Sequence, residues 1–340
     1  MRSAVVFAYH NVGVRCLSVL LAHGVEVKLV VTHRDNPNEN IWFDSVQKLA
    51  ELHGIPTITP DDPNAPEVVA QIRALAPDFY FSFYYREMLK APLLAIPNLG
   101  ALNMHGSLLP KYRGRVPVNW AIIKGETETG STLHYMTEKP DNGDIVAQQA
   151  IPILPNDTAH EVFQKVTVAA ELALDGVLPA LLAGTAPRLK QDLSLGGYFG
   201  GRKPQDGEID WAQSAQTIHN LVRAVAPPYP GATTTLLGHP MRILQTLVTR
   251  CGSDTVVRST LVREEPQCGC SREWQAAPVT CCNHTAAGKE APAFYVKDGK
   301  AYAICGSGVL RVLRFELTGT ELSAAEFAAK FGDARYEFNT

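Results

Sequence analysis

Short apolar runs alternate with segments of helical spacing through the first hundred residues, and few folds accommodate that rhythm. The runs are Ala4–Ala8, Val25–Val31, Pro56–Ile58, Phe79–Phe83 and Leu99–Asn103. Between them, Val12–Ala22, Phe43–Leu52 and Glu67–Leu75 repeat apolar residues every three to four positions, the spacing of an amphipathic helix. A crossover from one parallel strand to the next is right-handed almost without exception. The pattern therefore predicts an α/β domain, Rossmann-like, with a mostly parallel sheet and helices on both faces. Strands are expected again at Ser131–Tyr135 and Ile145–Ile153. A long helix then starts after Asn156 or Asp157 as N-cap and stops at Gly184, with Pro179 kinking or dividing it.

The pattern changes after Gly184. The pairs Gly196-Gly197 and Gly200-Gly201 mark a linker or a loop with unusual backbone angles. Beyond a helical stretch at Ala215–Ala226, strand-like runs take over at Thr233–Leu237, Met241–Leu244, Ala293–Val296, Ala301–Cys305 and Val309–Phe315. Such runs, punctuated by Gly and Asp, predict a smaller β-barrel of OB-like type. Ser323-Ala324-Ala325-Glu326 is a capping box that opens a last helix. The expected division is a catalytic domain over 1–190, a linker over 191–204 and a barrel-like domain over 205–335 with a cysteine-containing insertion near 250–290.

The 340 residues carry a net charge of only -3, which gives no electrostatic reason to expect nucleic acid. The N-terminus enters a strand-like run at once and lacks the regions of a signal peptide. No run approaches the roughly 18 consecutive apolar residues of a membrane span, so a cytoplasmic protein is expected. Oligomeric state is left open. The turn Tyr9-His10-Asn11-Val12-Gly13-Val14 holds one glycine, too few for the dinucleotide-binding G-x-G-x-x-G. Seven cysteines, four of them within 268–282, do not make a disulfide framework in a chain of this size. Cys268, Cys270, Cys281, Cys282 and His284 match no common zinc ribbon, and no metal is expected.

The chemistry is concentrated in Asn103-Met104-His105-Gly106-Ser107-Leu108-Leu109-Pro110-Lys111-Tyr112-Arg113-Gly114. On a strand, residues two apart share a face. Asn103 and His105 therefore converge where the strand runs out, the edge at which open α/β sheets hold ligands. An amide beside an imidazole suits acyl transfer: one donates to a developing oxyanion and the other moves a proton. Asp141, in Asp141-Asn142-Gly143-Asp144 after a second strand end, is placed to orient the imidazole and raise its pKa.

This dodecamer together with Asp141 resembles the signature of the formyltransferases that use 10-formyltetrahydrofolate. The likeness continues through Arg202-Lys203-Pro204-Gln205-Asp206-Gly207, Ile209-Asp210-Trp211, Arg223-Ala224 and Pro230-Gly231. The resemblance implies His105 as general acid/base, Asn103 as oxyanion stabiliser and Asp141 as the group that raises the histidine pKa. It also implies contacts to the formyl donor from Glu87, Met88 and Leu89, from Arg115, and from Thr137, Glu138, Lys139, Pro140 and Asp141. Tyr84 and Arg202 are candidate contacts to the amine substrate, with Arg202 suited to a diphosphate.

Within the family, Phe7-Ala8-Tyr9-His10, Thr32-His33-Arg34-Asp35-Asn36-Pro37, Phe81-Ser82-Phe83-Tyr84-Tyr85-Arg86 and Gly125-Glu126-Thr127-Glu128-Thr129-Gly130 are similar to the branch that formylates UDP-4-amino-4-deoxy-L-arabinose. That resemblance implies a small nucleotide-sugar as partner and 10-formyltetrahydrofolate as co-substrate. The competing readings are a methionyl-tRNA formyltransferase, disfavoured by the missing basic surface, and a non-catalytic folate or nucleotide-sugar binder.

Overall fold

A computed structural model describes residues 1–249 and 291–338. The chain folds as two compact units: 1–207 with 223–231, and 208–222 with 232–340.

The first unit is built on a seven-stranded sheet of β1 (Ser3–Ala8), β2 (Glu26–Val31), β3 (Thr57–Ile58), β4 (Phe79–Phe83), β5 (Gly100–His105), β7 (Glu128–Tyr135) and β8 (Ile145–Pro152), in the order β3-β2-β1-β4-β5-β7-β8. A short β6 (Arg113–Gly114) pairs separately with β9 (Tyr198–Phe199). β1 to β5 are parallel, whereas β7 and β8 join antiparallel. The expected mostly parallel sheet is present, and its antiparallel edge matters for the site below. The sheet is flanked by helices α1 (His10–Ala22), α2 (Val46–Leu52), α3 (Pro66–Ala74), α4 (Ala91–Leu94), α5 (Pro117–Ile123) and α6 (Ala159–Ala183).

Strand alternation assigns the two cores. Val6, Ala8, Phe81, Phe83, Leu102 and Met104 pack with α1 and α6 in one cluster. Val5, Phe7, Leu29, Val31, Tyr80 and Ala101 pack with α3 and α4 in the other. Residues one apart on a strand face opposite sides of a sheet, so each central strand feeds both cores and reads as a continuous apolar run.

Helix α6 differs from the sequence reading in two respects. The N-cap of α6 is Thr158, whose side chain accepts from Glu161 N–H while Glu161 reaches back to the Thr158 N–H. Asp157 instead accepts from Leu154 N–H and pairs with Lys165. Pro179 does not divide α6, which continues to Ala183 and ends at the left-handed Gly184. At 25 residues α6 is long and apolar enough to cross a membrane by length and composition, and half of its most apolar window is buried. Its apolar residues, among them Val162, Val166, Ala170 and Leu174, belong to the sheet's core.

Residues 191–204 belong to the first unit and are not a spacer. Gln191 Nε2 donates to the carbonyls of Asp141 (3.0 Å) and Gly143 (2.6 Å). Arg113 Nη2 donates to the carbonyls of Leu193 and Gly196. Buried carbonyls need donors; Gln191 supplies them to Asp141 and Gly143, while Arg113 supplies them to the strap's own Leu193 and Gly196.

The second unit holds an antiparallel sheet of β10 (Ala232–Leu236), β11 (His239–Val248), β12 (Ala293–Lys297), β13 (Lys300–Ile304), β14 (Val309–Leu317), β15 (Thr320–Leu322) and β16 (Tyr336–Glu337). The order is β10-β11-β14-β13-β12-β16, with β15 beside β14. This sheet curls into a half-barrel, and no pairing joins β10 to β16 among the described residues. Helix α7 (Ala215–Val225) precedes it, and α8 (Ala324–Phe331) opens on the expected capping box at Ser323 and Glu326. Phe327 of α8 fills the sheet's concave side against Phe294 and Phe315. The cysteine cluster, Cys268 to His284, lies outside the described residues.

Candidate active site

Asn103 and His105 stand at the carboxyl end of β5, opposite His134 and Thr132 of β7 in the antiparallel register. That register brings a second imidazole to the site. Asn103 Nδ2 lies 3.2 Å from His134 Nε2, and His134 Nδ1 lies 2.9 Å from the Tyr135 carbonyl. A ring nitrogen against a carbonyl carries the proton. His134 is thus the Nδ1–H tautomer and accepts from the Asn103 amide, leaving the second Asn103 N–H free.

Asp141 completes the group from the loop between β7 and β8. Its Oδ1 is 3.5 Å from both His105 Nδ1 and His134 Nε2, and its Oδ2 accepts from Gly114 N–H at 2.8 Å. The backbone of Asp141 is left-handed, with φ 56°, a region that Asp and Asn enter more readily than other side chains. Burial works to raise the Asp141 pKa, but the neighbouring His105 and His134 imidazoles and the Gly114 N–H outweigh it and hold it at about 2.

His105 Nε2 donates to the Tyr112 carbonyl at 2.8 Å. Its lone pair is therefore on Nδ1, facing Asp141. Only 6% of His105 is exposed, so the imidazole is buried and not in the open cleft that a surface active site suggests. Burial lowers its pKa; Asp141 and the Tyr112 carbonyl push upward and His134 downward, with burial the largest effect. The expected upward displacement by Asp141 acts, yet the net direction is down. Burial, which residue spacing does not measure, reverses the sign.

The loop after His105 is pinned by β7 and β8. Thr132 Oγ1 donates to the Ser107 carbonyl (2.6 Å) and accepts from Leu109 N–H (3.1 Å) and Gln148 Nε2 (3.0 Å). Gln148 Nε2 also donates to the Leu109 carbonyl at 2.8 Å. Those bonds carry the chain round so that the Tyr112 carbonyl and Gly114 amide return to His105 and Asp141. Gly114 has φ 100°, and a Cβ there would stand 2.2 Å from the Phe199 carbonyl oxygen. Only glycine fits this return.

The other expected residues differ in burial and contacts. The Tyr84 hydroxyl is buried without a hydrogen-bond partner, and a Cβ on Gly106 would meet it at 2.0 Å. Tyr84 thus abuts the residue after His105. Glu87 and Met88 are exposed and Leu89 is buried. Thr137, Glu138 and Lys139 are exposed in the loop that carries Pro140 and Asp141. Thr137 and Asn142 line a cavity of about 330 Å³ with Leu94, Leu99, Tyr135 and Arg188. A larger one of about 610 Å³, walled by α3 residues and Pro92, holds none of the expected site residues.

Arg115 follows Gly114 and is exposed. Arg202 is half-buried, with its Nε unsatisfied and its guanidinium 5.9 Å from the Tyr229 ring centre. The structure gives it no direct contact with Asn103, His105 or Asp141. Among the described residues no three His, Cys, Asp or Glu side chains are grouped as a metal ion requires.

His134, Thr132 and Gln148 were not singled out from sequence. The one signal was strand alternation: positions 132 and 134 share a face, and an antiparallel partner turns that face toward Asn103 and His105.

A strand-end amide, a buried imidazole and a carboxylate anchored by a backbone amide form a candidate site whose groups suit acyl transfer. Two family models agree with that class: "Formyl transferase" matches residues 14–178 and "Formyl transferase, C-terminal domain" matches residues 202–332. The chain belongs to the formyl transferase family and is a formyl-group transferase.

Solved structures share the fold at low identity. An N-formyltransferase from Helicobacter canadensis, in complex with folinic acid and dTDP-3-aminofucose, is 18% identical with a TM-score of 0.65 over 92% of this chain and 99% of that one. WlaRD, a sugar 3N-formyltransferase, is 18% identical with a TM-score of 0.63 over 92% of this chain and 97% of its own. A sugar N-formyltransferase from a Shewanella species is 20% identical with a TM-score of 0.58 over 72% and 96%.

Proposed function

We propose that this chain transfers a formyl group from 10-formyltetrahydrofolate to the amine of a nucleotide-linked aminosugar. The acceptor that the sequence resemblance favours is UDP-4-amino-4-deoxy-L-arabinose, which would place the enzyme in the cytoplasm, in lipid A modification and polymyxin resistance. The observation that carries the reading is the run of close contacts from Asn103 to His134, from His134 to Asp141 and from Asp141 to His105. Sugar N-formyltransferases among the structures of like fold favour the sugar over an aminoacylated tRNA as acceptor.

In this mechanism the neutral amine attacks the formyl carbon, and the C=O π pair moves onto oxygen. The free N–H of Asn103 donates to that oxyanion, a contribution of about 3 kcal/mol in the transition state. His105 Nδ1 takes the proton from the attacking nitrogen, and the resulting imidazolium lies between Asp141 and the Tyr112 carbonyl. Collapse breaks the bond from the formyl carbon to N10, and the proton passes from His105 to N10. The products are the N-formyl sugar and tetrahydrofolate. Proton transfer of this kind contributes about 10² to 10⁴ in rate. Glu87 to Leu89, Arg115 and Thr137 to Asp141 hold the formyl donor, while Tyr84 and Arg202 face the acceptor.

Steady-state assays with 10-formyltetrahydrofolate and a panel of UDP- and dTDP-linked aminosugars test this. Turnover with a 4-aminosugar nucleotide is expected. Turnover with methionyl-tRNA and none with any sugar nucleotide would overturn the acceptor class.

A further inference from the structure

Residues 84–90, between β4 and α4, leave the sheet beside the carboxyl end of β5, because β4 and β5 are parallel neighbours with Phe83 opposite Met104. This strip is tied at its ends and open in its middle. Arg86 N–H donates to His33 Nε2 at 3.0 Å. At the far end Lys90 N–H donates to Asn64 Oδ1 at 2.8 Å, and Asn64 Nδ2 donates to the Met88 carbonyl at 2.9 Å. The N–H groups of Glu87, Met88 and Leu89 donate to no group among the described residues.

The two side chains that tie the strip are themselves fixed. The His33 ring stacks on Tyr85 at 4.2 Å between ring centres and meets Tyr9 edge-on at 5.2 Å. Asn64 is held by Asp62, whose Oδ1 accepts from both the Asn64 backbone N–H (2.8 Å) and Nδ2 (3.0 Å). Leu89, 2% exposed, plugs into the core of α3 and α4 beneath the strip. A short segment outside helix and strand with three unspent amides needs external restraint to keep them aligned, since each freed residue regains backbone entropy.

We propose that His33 and Asn64 are positioning residues that clamp the Arg86–Lys90 strip so that its free amides meet the acceptor atoms on the edge of a flat heteroaromatic ring, the pterin of the formyl donor. The proposal rests on the reading that Glu87 to Leu89 bind that donor. Both residues act through the backbone and neither touches the reacting atoms.

Folinic acid, a formylated folate, is the probe, titrated against the full-length protein alongside steady-state kinetics and thermal melting. Asn64→Ala and His33→Leu should each raise the Kd for folinic acid and the KM for the formyl donor about tenfold, the effect of freeing roughly one residue's backbone. The KM for the amine should stay within about twofold. His33→Gln, which keeps an acceptor at similar reach, should restore donor binding. A fall in thermal midpoint with folinate binding per folded molecule unchanged would overturn the clamp, and so would equal losses for both substrates. Absence of folinate binding in the wild-type protein would overturn the strip as donor site and the clamp with it. Wild-type binding that survives both variants would overturn the clamp alone.

Discussion

Replacing Asp141 by Asn isolates charge from shape. Asn occupies the left-handed backbone at φ 56° as readily as Asp, and its carbonyl oxygen can still accept from Gly114 N–H. What is lost is one negative charge 3.5 Å from His105 Nδ1. At an effective dielectric near 20, that charge stabilises an imidazolium by roughly 3–5 kcal/mol. The imidazolium exists only after proton uptake, so the loss falls on kcat, which should drop about 10²- to 10³-fold with both KM values little changed. The acid limb of the kcat/KM profile should move to lower pH, because the group that pushes the His105 pKa up is gone. Stability reports separately. Asp141 titrates near 2 when folded against a usual 3.8, so its contribution, on the order of 2 kcal/mol, is present above pH ~4 and fades as pH falls toward 2. Steady-state kinetics from pH 5 to 9 and thermal melting measure both quantities. A variant whose kcat stays within about fivefold of wild type, with its pH profile unmoved, would refute an electrostatic role and leave Asp141 as a loop anchor.

Tyr84→Phe removes a buried hydroxyl without a partner and should leave stability unchanged or raise it by up to about 1 kcal/mol in urea unfolding; a clear loss would show that the hydroxyl is satisfied. Thr132→Val removes two hydrogen bonds to the loop that returns to His105 and a third to Gln148 of β8. It should cost about 2–3 kcal/mol and lower kcat, and a variant equal to wild type in both would show the loop to be held by packing alone. His10 and His33 are driven to about 3 and about 4, chiefly by burial. The fold favours their neutral forms, so their stabilising effect is complete above pH ~6.5 and erodes as pH falls through the folded values. The urea midpoint should therefore decline from pH 6.5 downward, and less steeply in His10→Asn; parallel declines would assign the acid lability elsewhere.

The central sheet was legible because its strands are buried on both faces and their apolar runs are continuous, as in Phe79–Phe83. The candidate site in residues 103–114 was legible because Asn103 and His105 are two apart on one strand. Pairings set by non-local register were not. His134 reaches Asn103 only because β7 arrives antiparallel, and sequence periodicity is the same for either direction. Asn64 and His33 act on a strip more than twenty residues away through the backbone, which leaves no trace in side-chain pattern. The direction of the His105 pKa followed burial, a property of packing and not of neighbours in the chain. Pro179 suggested a break, but α6 is held by its packing against the sheet and runs through it.

The first unit takes its last residues from beyond a segment of the second. Ala224 is fully buried in the core of that unit. Asn119 Nδ2 donates to the Ala224 carbonyl at 2.7 Å, and Arg223 Nη1 donates to the carbonyls of Asp157 and Leu154. During synthesis, a ribosome that has released only the first 207 residues presents an α/β layer with a core site still empty and Asn119 unsatisfied. Native packing there waits for residues 223–231 to emerge, so the nascent catalytic half stays incomplete until the start of the half-barrel sheet is being made. A fragment cut at Gly207 would keep Asn103, His105 and Asp141 in sequence but carry that unfilled site permanently, which makes the two halves poor candidates for separate expression even though each has its own sheet.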